Sequence, residues 1–211
     1  MPSTPRDGVR SGSRRPPITA VTFDLGKVLL DWDPAYVLDA ETLAAIDIAS
    51  VQRALDLGQP VGQVRAAARR AHPDRAADID RYLDRWQQTI AGPIDDVVAV
   101  LDDLRSSASV DLYVLSNFSG ELFRQARPRF AFLEWFDGLV ISGDVGLVKP
   151  DPRIYDVLVA RYGLTPHQTA FIDDRTENVA AACDAGMVGL HFRSAGALRT
   201  ELRAWDVLTT G

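Results

Sequence analysis

Three apolar runs of strand length along this chain stop abruptly at polar residues. The first, ITAVTFDLGKVLL over Ile18 to Leu30, has the Val, Thr, Ile and Phe content of a strand buried on both faces as far as Phe23, which places Asp24 at its carboxyl end. The second, LYVLSN, runs from Leu112 to Asn117, and the third, TAFIDD, from Thr169 to Asp174. Between the first two, the period turns helical: Ile48, Val51 and Leu55 recur at helical spacing, as do Ile79, Leu83, Trp86 and Ile90. Gly58 to Gly62 breaks that pattern, and His72-Pro73-Asp74 reads as another helix junction. A further helix is expected over Thr176 to Ala185, ended by Gly186. A crossover between neighbouring parallel strands needs only one helix, and Pro93 to Ser107 supplies it, so Pro34 to Gly92 reads as a small helical cap inserted after the first strand. The expectation is an α/β protein with a parallel sheet, its core over 18–33 and 93–211, its cap over 34–92, and a tail over 1–17.

In an open α/β sheet, ligands bind at the carboxyl ends of the strands. The chain brings there a carboxylate (Asp24), a hydroxyl with an amide (Ser116, Asn117) and two further acids (Asp173, Asp174), with Lys149 in the Pro-rich loop GLVKPD. Phosphoryl transfer needs such a set: a divalent metal on hard oxygen ligands, a nucleophile, and fixed donors around the phosphoryl oxygens. Asp24 can be nucleophile and metal ligand, Asp173 and Asp174 can complete the metal site, and Lys149, Ser116 and Asn117 can hold phosphate oxygens.

The four segments FDLGKVL, LSN, VKPDPRIY and FIDDRTEN resemble, in order and spacing, the motifs of the haloacid dehalogenase-like hydrolase superfamily. The resemblance covers Ile18 onward apart from the helical stretch between the first two motifs. It implies a Rossmann-like core, Asp24 as aspartyl nucleophile, Ser116 and Asn117 as phosphate donors, and Lys149 as the cation. It also implies Mg2+ held by Asp24, the Gly26 backbone carbonyl and Asp174, with Asp173 beside them. Asn178, four residues and one helical turn after Asp174, can reach back toward that metal shell through a water or an acid. The chain departs from the family pattern at one position. Phosphatases of this family usually carry a second aspartate two residues after the nucleophile, as the acid and base for the leaving oxygen and water. Here that residue is Gly26. Sugar-phosphate phosphatases with Asp-x-Gly in the first motif and paired acids in the last look like this chain, so activity is expected with the proton drawn from water, cap or substrate.

Composition narrows the setting. At 211 residues and 46% hydrophobic, the chain can bury one good core and a small second domain. No apolar stretch approaches the roughly 18 residues of a membrane span. The formal charge of -6 argues against a nucleic-acid partner. The tail, with four arginines and four prolines over Met1 to Pro17, is expected to be disordered and lacks the apolar core of a secretory signal. A single cysteine, Cys183, excludes an internal disulfide, fits a reducing cytoplasm, and reads as a buried structural thiol. A small phosphorylated substrate is the expected partner, with the chain a monomer or homodimer.

Lysine usage singles out one motif residue. Of 23 basic residues only Lys27 and Lys149 are lysine, and both fall inside the motifs. Lys149 is a place for a compact ammonium where a planar guanidinium would not fit, whereas Lys27 reads as a solvated turn lysine. Trp86 is read as cap core and Tyr155 as packing. Asp31, Trp32 and Asp33 form the hinge to the cap, either lining a pocket or making a turn. Arg175 either contacts substrate or opens the following helix. His72, His167 and His191 show no metal-ligand spacing. The resulting reading is a Mg2+-dependent phosphomonoesterase for a small phosphorylated metabolite such as a sugar phosphate. The alternatives are a 2-haloacid dehalogenase, which needs no metal and carries small polar residues in place of Asp173 and Asp174, and a non-catalytic member that binds a phosphorylated ligand. Adjacent acids beside a third repel one another without a cation, which favours the metal-dependent reading.

Overall fold

The computed structural model describes residues 17–208, so the expected disorder of the tail lies outside the described residues apart from Pro17. Five strands, β1 (Ala20–Phe23), β4 (Asp111–Ser116), β5 (Gly138–Ile141), β6 (Thr169–Asp173) and β7 (Val188–His191), form a sheet of order β5-β4-β1-β6-β7. Every neighbouring pair in it is parallel. β1 lies in the middle, with Phe23 opposite Val114 on one side and Ile172 on the other. The three apolar runs read from sequence are therefore the three central strands, and their polar ends meet at one edge of the sheet.

Alternation along those strands feeds two apolar layers. Tyr113, Leu115 and Phe171 pack with Ile154, Tyr155 and Leu158 of α8 (Pro152–Tyr162) and Ala182 of α9 (Thr176–Asp184). Val21, Phe23, Val114 and Ile172 face the other way, toward Val97, Val100 and Leu104 of α5 (Asp95–Ser107) and Leu198 and Leu202 of α10 (Ala195–Ala204). The second layer continues without a break into the helices of the expected cap, through Val51 and Leu55 of α2 (Ile48–Asp56), Val64 and Ala68 of α3 (Val61–Ala71), and Ile79 and Leu83 of α4 (Ala76–Asp84). α1 (Ala40–Ala45) precedes these, and α6 (Gly120–Ala126) and the short α7 (Ser142–Val145) follow β4 and β5.

The helical reading overran at the far end of the cap. Ile79 and Leu83 lie in α4, but that helix ends at Asp84, Trp86–Thr89 form a 3-10 turn, and Ile90 opens a strand, β3 (Ile90–Pro93). β3 pairs antiparallel with β2 (Leu30–Trp32), so a two-stranded ribbon carries the chain into and out of the cap. Pairing with β2 decides the matter against helical periodicity, and Gly92 and Pro93 themselves oppose a helix running on past Ile90. Cys183 also departs from expectation: it is exposed. On α9 the inward positions are Asn178 and Ala182, so Cys183 falls one step round the helix, on the outer side.

One contact between cap and core fixes the end of α2. Ser142 Oγ donates to the Asp56 carbonyl at 2.7 Å and accepts from the Phe118 amide at 2.9 Å. Two residues on, Gly58 adopts φ +84°, and a Cβ there would sit 2.3 Å from the Gly143 carbonyl oxygen. Glycine alone permits that approach of two backbones at that angle.

Candidate active site

The carboxyl ends of β1, β4 and β6 bring together Asp24, Ser116 and Asp173, all buried. Lys149, 3% exposed, reaches them from the loop between α7 and α8. Its Nζ lies 3.0 Å from Asp24 Oδ1 and 2.6 Å from Asp173 Oδ2, and donates to the Leu115 carbonyl at 2.9 Å. Its hydrogen bonds to Leu115 and Asp173 use two ammonium protons, and the ion pair with Asp24 leaves the third for a ligand; three oxygens around one nitrogen suit a compact lysine and not a planar guanidinium. Burial works against the Lys149 charge, but Asp24 and Asp173 more than offset it and hold its pKa up. The Asp24 carboxyl is pushed up to about 6 by burial, with Lys149 opposing, Asp173 adding to the rise, and the Ser116 hydroxyl helping to hold it down. Asp24 Oδ1 also accepts from the Leu25 amide at 2.7 Å.

Asp173 is fully committed to protein donors. Its Oδ1 accepts from the Arg175 amide at 2.9 Å and from Asn178 Nδ2 at 2.9 Å, while Oδ2 accepts from Lys149. Asn178 is held in turn on its carbonyl by the buried Tyr155 hydroxyl at 2.8 Å, which gives Tyr155 its packing role a polar part as well. Asp174 is half-buried and carries no such set of donors. Its pKa is raised by burial and then by the Asp173 charge. Asn117 spans the Lys149 backbone, accepting from its amide at 2.7 Å and donating to its carbonyl at 3.0 Å, which leaves one amide N–H for a ligand.

Asp24, Asp173 and Asp174 each place a carboxylate oxygen within 4.8 Å of the others. Three acids offset by one ammonium suit a divalent cation, and Asp24 and Asp174 are the members with oxygens to spare. Gly26 sits beside them, in open space and without the positive φ that would bar a side chain. Lys27 is exposed at the rim, with φ 60°.

A cavity of about 340 Å³ stands over this edge. Its floor is Asp24, Gly26, Asn117, Lys149, Asp174 and Asn178, and its apolar walls include Leu30, Trp32, Trp86 and Phe118. Trp86 is buried with its ring edge-on to Phe118 at 5.1 Å, so one residue serves both as cap core and as cavity wall. Arg175 lines the cavity, opens α9 and pairs with Glu177. Asp31 and Asp33 are elsewhere: Asp31 accepts from the Tyr36 hydroxyl at 2.9 Å and Asp33 from the Ala35 amide at 2.8 Å. His191 pairs with Asp173 across the sheet, and its ring meets the Asp174 carbonyl at 3.0 Å.

The sequence reading missed the acid that the cap contributes. Asp56, the last residue of α2, lines the same cavity with Gln52 one turn before it. Gln52 Nε2 donates to Asp56 Oδ1 at 3.3 Å, and the Tyr82 hydroxyl donates to Gln52 Oε1 at 2.9 Å. Burial pushes the Asp56 carboxyl up to about 7. Gln52 opposes that rise, Asp24 adds to it, and Lys149 and Arg53 oppose it. A signal was available: a carboxylate at the C-terminal end of a helix meets the negative end of the helix dipole, where acids are disfavoured.

The model of the haloacid dehalogenase-like hydrolases matches residues 18–186. The sesquiterpene phosphatase astK of Aspergillus oryzae is 26% identical over 87% of this chain and 94% of its own. A glyceraldehyde 3-phosphate phosphatase of Methanothermobacter thermautotrophicus is 25% identical over 84% and 86%. In fold, the chain is similar to a haloacid dehalogenase family enzyme of Bacteroides thetaiotaomicron, solved as an Asp-to-Ala mutant with magnesium and inorganic phosphate. The TM-score is 0.67 at 21% identity, covering 85% of this chain and 95% of that one. The matched model takes in the strands and all four motif segments that build the site, and the chain is a haloacid dehalogenase-like hydrolase.

Proposed function

We propose that this hydrolase is a Mg2+-dependent phosphomonoesterase acting on a small phosphorylated metabolite, such as a sugar phosphate, through an aspartyl-phosphate intermediate. The observation that carries the reading is the buried Lys149 ammonium held between Asp24 and Asp173, with Asp174 beside them, at the floor of a cavity. Asp24 attacks phosphorus, while Lys149, Ser116 and the free Asn117 amide hydrogen hold phosphoryl oxygens. Asp24, Asp174 and the Gly26 carbonyl would hold the cation, whose chemistry is to neutralise charge on the phosphoryl oxygens. Asp173 and Asn178 keep Lys149 and the end of β6 in place. Two relatives named as phosphatases support the reaction class, and their different leaving groups leave the substrate's carbon skeleton open.

Hydrolysis of an aryl phosphate with and without Mg2+, beside Asp24→Asn, tests this. Chelation should abolish turnover, added Mg2+ should restore it, and Asp24→Asn should fall to background. Wild-type turnover in excess chelator would overturn the reading and make chloride release from a 2-chloroacid the next assay.

A further inference from the structure

Gly26 leaves the first motif without a proton donor, and the leaving oxygen of an alkyl phosphate departs poorly as an anion. The hinge acids nearest in sequence are turned to other partners, Asp31 to Tyr36 and Asp33 to the Ala35 amide. Among the described residues, Asp56 is the one carboxyl that the cap places on the cavity wall. The core floor holds the phosphoryl group in the proposed reaction, so the leaving group must lie on the cap side, where Asp56 is.

Resting on that reading, we propose that Asp56 is the general acid and base of this enzyme, delivered to the leaving oxygen from the cap in place of the missing first-motif aspartate. The position is built rather than incidental. The Asp56 backbone is tied to the core through Ser142, which also grips the Phe118 amide just after Ser116 and Asn117. The Gly58 and Gly143 backbones close on each other beside it. Its Oδ1 is oriented by Gln52, itself set by Tyr82, and its Oδ2 accepts no hydrogen bond among the described residues. The charged and titratable groups that act on it are Asp24, Lys149, Arg53 and Tyr82, and Arg175 lines the same cavity. Burial keeps the carboxyl protonated to about 7, which suits a donor near neutral pH.

The chemistry closes on itself. As Asp24 forms its bond to phosphorus, the bond from phosphorus to the leaving oxygen breaks. That oxygen keeps the electron pair and takes the Asp56 proton, releasing the alcohol. Asp56, now a carboxylate, takes a proton from water as the water oxygen attacks the aspartyl phosphate. The Asp24–phosphorus bond breaks with its electrons returning to Asp24, phosphate leaves, and Asp56 is again protonated.

The experiment compares kcat/KM for an alkyl phosphate and for p-nitrophenyl phosphate in wild type, Asp56→Asn, and Asp56→Asn with Gly26→Asp. Because kcat/KM ends at the first irreversible step, the alkyl-to-aryl ratio isolates protonation of the leaving group. Asp56→Asn should lose about 10²–10⁴-fold on the alkyl phosphate and only a few-fold on the aryl one. Gly26→Asp, where a Cβ meets nothing within 4 Å, should recover much of the alkyl rate, which a merely structural role for Asp56 would not allow. Should Asp56→Asn fail to fold, the wild-type ratio still decides: it should fall as pH rises above about 7. Equal losses on both substrates, no loss, or a pH-independent wild-type ratio would overturn the assignment while leaving the phosphatase reading intact. A wild type that hydrolyses no phosphate monoester would overturn both.

Discussion

The two sides of the cavity are built by different means. On the core side the buried polar groups are locked by several partners: Lys149 by three oxygens, Asp173 by Lys149, Asn178 and the Arg175 amide, and Asn117 by both backbone groups of Lys149. On the cap side one acid is oriented by one glutamine, and its place depends on a single hydroxyl and a close pass of two glycines. The core is thus a preorganised electrostatic site in which no member can be lost without leaving another buried and unpaired. The cap is a lightly held arm whose contribution can be tuned. Changes on the core side should abolish all turnover, whereas changes on the cap side should sort substrates by leaving group.

The largest effect is expected at Lys149. Lys149→Met leaves Asp24 and Asp173 buried without their cation, so kcat/KM on p-nitrophenyl phosphate should fall by about 10³-fold or more. Stability in the absence of metal should fall by about 3–5 kcal/mol, the usual cost of breaking a buried ion pair. Lys149→Arg should come within about tenfold of Met in activity, because a guanidinium cannot meet three acceptors packed around one nitrogen. Near-normal efficiency in Lys149→Arg would mean that charge alone is needed, and the contrast between the two sides would lose its basis.

The same contrast explains what could be read from the sequence. β1, β4 and β6 are buried on both faces, so each is a continuous apolar run, and the abrupt polar residue that ends it lies at the candidate site. β5 and β7 contain glycine, are not buried throughout and end in no motif acid, so periodicity alone does not mark them. Lys149 stood out because a chain that otherwise uses arginine spared it. Asp56 did not stand out. An acid at a helix end between Leu55 and Leu57 runs against the helix dipole, but nothing local tells what it faces until Gly58 and Gly143 bring the helix end onto the core. That contact joins residues 85 positions apart, and no local pattern encodes it.

A smaller effect should follow from moving the arm without changing its chemistry. Gly58→Ala puts a methyl on a residue at φ +84° and 2.3 Å from the Gly143 carbonyl oxygen, so the end of α2 must shift. We expect about 1–3 kcal/mol of destabilisation in urea melts. The alkyl phosphate rate should fall by about tenfold, with a lesser change on the aryl phosphate. Gly62→Ala, in α3 with nothing within 4 Å of a new Cβ, is the control and should stabilise by about 0.5–1 kcal/mol. A uniform loss on both substrates in Gly58→Ala would mean that the cap and core sides act as one unit.

The smallest effect is thermodynamic and needs no substrate. Asp56 has its carboxyl pushed up from 3.8 to about 7 in the folded protein by burial, so between those values the folded state binds a proton that the unfolded state has released. Stability on this account therefore falls as pH rises from 3.8 to about 7 and is flat above it. Asn carries no such charge at any pH and keeps an oxygen for Gln52. The full shift corresponds to about 4 kcal/mol, and solvent reaching the cavity should cut it to roughly 1–3 kcal/mol. Asp56→Asn should thus be more stable than wild type by that amount at pH 8, and the two should converge near pH 4, with metal excluded from both. Taking the difference between the two proteins cancels, to first order, the titrations of Asp24 and Asp174, which they share. A difference that stays constant from pH 4 to pH 8 would show that Asp56 is ionised throughout, in which case it could not donate the proton assigned to it.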